Sequence, residues 1–189
     1  MGEQTTYISK KKLNDNEQEL FYFEKSEFNR ITKSKSNWLT KKKALSSMLR
    51  VNILYMIQNA GSGHIGTSFS SIDLVNYIYF DFLNKDDIYF SSKGHDAPAL
   101  YSVLMAKNIL PFSNIHKFRK IKGLPGHPDV KTKGIFTNTG SLGMGISKAK
   151  GFLMADNLKR KKRKVIVLTG DGELQEGQFW ESLINIPKS

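Results

Sequence analysis

The stretch Lys164-Val-Ile-Val-Leu-Thr-Gly-Asp-Gly-Glu-Leu-Gln-Glu-Gly177 decides how the rest of the chain reads. Val165 to Leu168 is a short, wholly apolar run, the pattern of a parallel strand covered on both faces. It breaks at Gly170-Asp171-Gly172, where two glycines flank one carboxylate. In an open α/β sheet, ligands bind just past the carboxyl ends of the strands. A carboxylate placed there reaches a metal, and its glycine neighbours let backbone approach a ligand closely. An ordinary Asp-Gly turn explains the three residues equally well. The surrounding chain has to decide.

Immediately upstream lies Lys159-Arg-Lys-Lys-Arg-Lys164, which with Lys10 to Lys12 and Lys41 to Lys43 holds much of a net charge of +12. Such a charge raises the question of nucleic acid. The run from Lys159, however, falls between a predicted helix and the apolar strand, where basic residues suit a helix C-terminus. A solvated helix end is the better reading, and it argues against a nucleic-acid surface. A positive field also attracts phosphorylated metabolites.

Further upstream, Thr139-Gly-Ser-Leu-Gly-Met-Gly145 opens a helix predicted to run through Asp156. Backbone N–H groups at a helix start bind phosphate oxygens. Tight helix–strand packing accounts for the glycines equally well, and no Gly-Lys-Ser/Thr follows, so this is not a nucleotide P-loop. Ile135 to Thr137 and Asp87 to Ser91 read as strands. Asp96 is placed as the N-cap, with Pro98 in the first turn, of a helix reaching Lys107. Ser70 and Asp73 form a capping-box-like pair ahead of a helix to about Phe82, with Ile72, Val75, Ile78, Tyr79 and Phe82 packing inward. From Trp38 to Asn59, apolar residues recur at helical spacing up to Gly61. Glu173 to about Ile186 starts one more helix. Strands alternating with helices predict an α/β fold, a doubly wound, mainly parallel sheet with helices on both faces. Residues 1–36, rich in Lys, Glu, Asn and Ser, read as a polar basic arm, partly helical at most. Residues 37–189 read as the folded domain.

With 189 residues, the chain suffices for one globular domain or part of a larger one. The absence of cysteine excludes disulfides and thiolate metal sites. Met1 to Asn16 lacks the apolar core of a signal peptide, and no run nears the roughly 18 apolar residues of a spanning helix. The expected location is cytoplasmic, with no membrane partner.

His64, His95 and His127 each lie in a glycine-containing junction rather than inside a periodic element. Loops of this kind project from a sheet and carry substrate-facing groups. A single loop histidine is ordinarily a surface residue; three of the chain's four in Gly-His junctions weigh against that. No His-x-x-His or His-Glu-x-x-His spacing is present, which disfavours zinc. The imidazoles can instead hydrogen-bond sugar hydroxyls, hold a phosphate or move protons. Asp171 is a hard oxygen ligand for Mg2+ or Ca2+. Together with a phosphate cradle at a helix start, it points to a metal–diphosphate cofactor.

Five motifs now stand in order: Gly61-Ser-Gly-His64, Lys93-Gly-His95, Gly126-His-Pro128, Thr139-Gly-Ser-Leu-Gly-Met-Gly145 and Gly170-Asp-Gly-Glu-Leu-Gln-Glu-Gly177. Together, from about Trp38 onward, the chain resembles the N-terminal, diphosphate-binding domain of transketolase, a thiamine diphosphate enzyme. The resemblance implies that Asp171 binds Mg2+ (or Ca2+), with Gly172 close to the diphosphate. It implies that Gly140, Ser141 and Leu142 line the cofactor and that His95 contacts the diphosphate. His64 and His127 would face the substrate's hydroxyls and assist proton movement, while Glu176 and Glu181 match acids near the dimer interface that couple two cofactors. The family moves a two-carbon ketol unit from a ketose phosphate to an aldose, the cofactor carrying the hard chemistry. Sugar phosphate substrates, a place in carbohydrate metabolism of the pentose phosphate kind, and a homo-oligomer or a pairing with a C-terminal transketolase subunit follow as expectations.

The family's further metal ligands, its pyrimidine-binding domain and the strand after the last helix have no counterpart before Ser189. The resemblance therefore implies a domain incomplete at its C-terminal end and no ketol transfer by these residues alone. Two other readings share the Gly-Asp-Gly motif or set it aside. One is another thiamine diphosphate enzyme, deoxyxylulose phosphate synthase-like or 2-oxo acid decarboxylating. The other is an inactive truncated copy acting through its basic surface.

Overall fold

The computed structural model describes residues 8–12 and 19–184. In chain order the elements are β1 (Ile8–Lys12), β2 (Glu19–Phe23), α1 (Lys25–Lys33), α2 (Trp38–Ala60), α3 (Ile65–Tyr77), β3 (Ile88–Ser91), α4 (Ala97–Ala106), α5 (Gly145–Leu158), β4 (Val165–Leu168) and α6 (Gly177–Leu183). A π-helical turn, Ile78–Phe82, extends α3, and 3-10 turns cover Phe112–His116 and Gly172–Gln175.

The longest helix, α2, begins where the Asn37 side chain accepts the Thr40 N–H at 2.9 Å. It stops at Gly61, whose left-handed φ of 70° lets its N–H return to the Gln58 carbonyl. Between those ends, Leu49, Ile53 and Met56 are wholly buried against Ile72 and Val75 of α3 and Tyr101 and Leu104 of α4. Each such aliphatic side chain removed from water contributes about 1.5–3 kcal/mol. This helical core anchors everything else.

β3 and β4 pair in parallel, Ile88 opposite Val165 and Ser91 opposite Leu168. Because side chains alternate along a strand, Ile166 and Leu168 turn toward the helical core. Val165 and Val167 turn the other way and pack with Ile88, Phe90, Ala149 and Phe152 against α5. Helices thus cover both faces of a small parallel sheet, as an α/β reading requires. All four residues of β4 remain partly exposed, however, rather than buried. Only β3 flanks β4 among the described residues, so one edge stays open to solvent.

Four local expectations are corrected. Residues 8–12 and 19–33 form an antiparallel hairpin and a helix instead of an arm that is helical at most. The Asn52 amide of α2 imitates a strand partner, accepting the Phe23 N–H at 2.8 Å and donating to the Phe23 carbonyl at 3.1 Å. Tyr22 rests 4.7 Å from the Tyr55 ring, and Phe28 is buried in the core. α3 starts at Ile65, so Ser70 and Asp73 lie inside it; Asp73 is occupied by Arg50 and caps nothing. Ile135 to Thr137 forms no strand; Ile135 is a buried loop residue. The last helical stretch breaks into a 3-10 turn and α6 at Glu176, which is extended.

Candidate active site at the strand ends

The loops following β3 and β4 lie side by side because the strands are parallel and in register. The β3 loop, Ser92 to Asp96, turns on Gly94 at φ 71°. A Cβ there would stand 2.7 Å from His127 Cδ2 and 2.8 Å from the Gly140 nitrogen. Gly140, at φ 127°, likewise faces His127 Cδ2 at 3.0 Å from an added Cβ. Two glycines distant in sequence thus make room for one imidazole and join three loops. The loop carrying His127 is tied down by the Tyr101 hydroxyl, which donates to the Pro125 carbonyl at 3.1 Å.

The histidines converge. His64, at the start of α3, meets His95 with ring centroids 5.2 Å apart. The charges of His95, Arg119 and His64 all act on His127, which partial desolvation first pulls below the ordinary imidazole range. A neutral His127 near pH 7 can accept a proton or a hydroxyl hydrogen bond. His95 is oriented by a 3.0 Å contact between Nδ1 and the Lys93 carbonyl.

Beside this cluster lies a pocket of about 340 Å³. Of the residues expected in the site, His95, Leu142, Asp171 and Gly172 line it. Gly140 and Ser141 belong to the same turn as Leu142, and His64 and His127 stand beside His95 and Gly140. Glu176 and Glu181 are exposed on and just before α6 and do not line the pocket. Sequence reasoning missed Thr67, Lys93 and Glu173 as lining residues. Thr67 sits in the first turn of α3, three residues after His64, and accepts from Lys93 Nζ at 3.1 Å. Lys93 also approaches Asp96 Oδ2 at 3.5 Å, and its chain covers Gly170. Asp96 precedes α4 as expected, but its side chain makes no cap bond and instead accepts from Ser91 Oγ at 2.8 Å. Glu173 is buried under the turn. A lysine adjoining a Gly-His junction was a readable signal; the other two were not.

The donor set suits a metal-bound diphosphate. Asp171 is exposed into the pocket, and its carboxylate takes no hydrogen bond or ion pair among the described residues. Lys93 and the turn at Gly140 provide positive charge and backbone opposite it. No group of three His, Asp or Glu side chains capable of holding a metal is assembled among the described residues. Asp171 is therefore one ligand, which fits the habit of Mg2+ of taking one or two carboxylates and filling its shell with phosphates and water.

An α/β domain with a phosphate-sized pocket at its strand ends, rimmed by imidazoles, defines a diphosphate-binding class of protein. Residues 41–184 match the family described as "Transketolase, thiamine diphosphate binding domain". The chain belongs to that family. It is 38% identical over 154 residues to one of the two subunits of the apulose-4-phosphate transketolase of Actinobacillus succinogenes, covering 76% of this chain and 55% of that one. It is 34% identical over 148 residues to the 6-deoxy-6-sulfo-D-fructose transketolase subunit SqwG of a Clostridium species, covering 72% and 54%. Similarity to the Homo sapiens transketolase is 32% over 152 residues, 75% of this chain but 24% of that one. The chain spans about half the length of the subunit relatives it matches. No helix of the described residues is long and apolar enough to cross a membrane.

Proposed function

We propose that this chain supplies the diphosphate-binding half of a transketolase active site, which moves a two-carbon ketol unit from a ketose phosphate to an aldose. The observation that carries the reading is the convergence of His64, His95 and His127 beside a pocket containing an unengaged Asp171. Thiamine diphosphate, when bound, supplies the electron sink for making and breaking the carbon–carbon bond. Asp171 holds its Mg2+ (or Ca2+), and Gly172, Gly140, Ser141 and Leu142 line the diphosphate. His95, pinned by the Lys93 carbonyl, orients a phosphate oxygen. His64 and the neutral His127 bind the hydroxyls of the sugar and receive or return a proton there.

Two relatives are named as single subunits of their enzymes, which supports pairing with a second chain that completes the site. Glu176 and Glu181, outside the pocket on an exposed surface, are placed for that interface. The same two relatives are named for sugars bearing a phosphate or a sulfonate. An anionic sugar suits the positive charge of this chain, in a carbohydrate route of the pentose phosphate type and in the cytoplasm. The test is a panel of ketose phosphates with an aldose acceptor, and pyruvate as control, given to the full-length protein with a complementary C-terminal subunit. Ketol transfer from a ketose phosphate, with pyruvate untouched, is expected; the chain alone should turn nothing over. Release of carbon dioxide from pyruvate would move the protein to another branch of thiamine chemistry.

A further inference from the structure

Glu173 is 1% exposed, yet it lies directly beneath the pocket. Its Oε1 accepts from the Ser92 hydroxyl and from the Gly143 N–H, the latter at 2.9 Å. Its Oε2 accepts from the Gly170 N–H at 3.2 Å. Ser92 opens the loop that carries Lys93 and His95, Gly143 closes the turn that carries Gly140 to Leu142, and Gly170 opens the loop that carries Asp171. These donors lie 81, 30 and 3 residues away from it in sequence. Ser92 is further trapped between this carboxylate and the Cα of Gly145 at the head of α5.

With both oxygens engaged and almost no exposure, this carboxylate is not free to bind metal or to exchange protons with a ligand. A buried charge is retained only where donors replace its lost water. Here the donors come from all three loops that form the pocket, so none of them can shift without leaving part of that charge uncompensated. We infer that Glu173 is the positioning residue that sets the distances between His95, the Gly140–Leu142 turn and Asp171, and so fixes the geometry in which this chain accepts a metal–diphosphate group. The inference rests on the proposed function only for the identity of that group. The carboxylate also removes the Gly143 N–H from the phosphate-binding donors, which leaves that task to the earlier residues of the turn.

The substitution Glu173→Gln preserves size but replaces one acceptor oxygen by an NH2. Whichever way the amide lies, it confronts either the Gly143 or the Gly170 N–H with another donor. Ser92→Ala removes a single donor and leaves the carboxylate in place. Amide hydrogen exchange in the full-length protein reads the loops without any ligand, and titration with thiamine diphosphate and Mg2+ reads the pocket. Glu173→Gln should speed exchange in the segments around Gly143 and Gly170 by ~10-fold or more, leave the interior of α2 protected, and weaken cofactor binding by roughly 10–100-fold, as loss of outer-shell support does. Ser92→Ala should shift both readouts in the same direction, by less. Unchanged exchange at both glycines, or acceleration spread evenly over α2 as well, would overturn the inference. Loosened loops in a protein whose wild type has no affinity for thiamine diphosphate would uphold the positioning role and sink the proposed function instead.

Discussion

Leu49 on α2 and Val167 on β4 are both aliphatic side chains in regular elements, yet Leu49 is at 0% exposure while every residue of β4 stays partly exposed. Around Leu49, α2, α3 and α4 interlock with the N-terminal hairpin into one continuous apolar core. Around Val167 the apolar cluster is small, and polar side chains do much of the joining. Asp87 receives the Lys164 N–H at 2.8 Å and so fixes the entry to β4. Asp156 pairs with Arg163 at 2.6 Å and ties the end of α5 to the segment before β4. Glu173 joins the loops beyond the strands. The helical half is held by non-directional burial, whereas the half bearing Asp171 is held by directional bonds whose loss misplaces a loop without unfolding a core.

That contrast can be broken at several points. Leu49→Ala should cost about 2–5 kcal/mol, because the surrounding core cannot collapse around the deletion. Thermal unfolding should lose helix and site signals together; a mutant that loses only the β4–α6 half would contradict the division. Asp156→Ala leaves Arg163 half-buried without its acceptor, a cost of about 1–3 kcal/mol. Hydrogen exchange should rise in α5 and β4 and stay unchanged in the interior of α2. Gly94→Ala sets a side chain at φ 71° and drives a methyl into His127 and Gly140. About 1–2 kcal/mol of strain is expected, with a loss of cofactor affinity larger than the change in Tm suggests.

The smallest effect is a pH dependence inside the helical half. His116 Nδ1 lies 2.6 Å from the Tyr55 hydroxyl, and burial, followed by the Lys11 charge, holds its pKa below the ordinary value. The unfolded chain then binds the proton more readily than the folded one, so stability rises with pH through this window. The contribution is complete above about pH 6.5 and is lost as pH falls through the lower folded-state value. Chemical denaturation between pH 7 and 5 should show a modest decline that Tyr55→Phe and His116→Asn reduce. An unaltered slope in His116→Asn would assign the effect elsewhere.

Much of this was readable where the signal was local. The apolar period and Gly61 delimit α2 almost to the residue, and an uninterrupted apolar run marks β4. Short apolar runs do not distinguish a strand from a buried loop, which is why Ile135 misleads. Ser70 and Asp73 have the spacing of a cap, but Asp73 is engaged by Arg50 from another helix. The hairpin residues 19–23 sit in a strongly polar segment, and only the Asn52 amide on α2 shows why they become a strand. In the site, the glycine junctions announced the three histidines. Nothing local announces Glu173, whose role depends on Ser92, 81 residues away.

His127→Ala separates the roles at the pocket: it should impair substrate handling and leave cofactor affinity intact. The most direct test of the whole account is calorimetric titration of the full-length protein with thiamine diphosphate, with and without Mg2+, in wild type and Asp171→Asn. The account predicts saturable, Mg2+-dependent binding to the wild type, and a binding loss of ~10-fold or more on removal of the anionic ligand. Equal affinity in the two proteins, or binding indifferent to Mg2+, would take Asp171 out of the site and contradict the account.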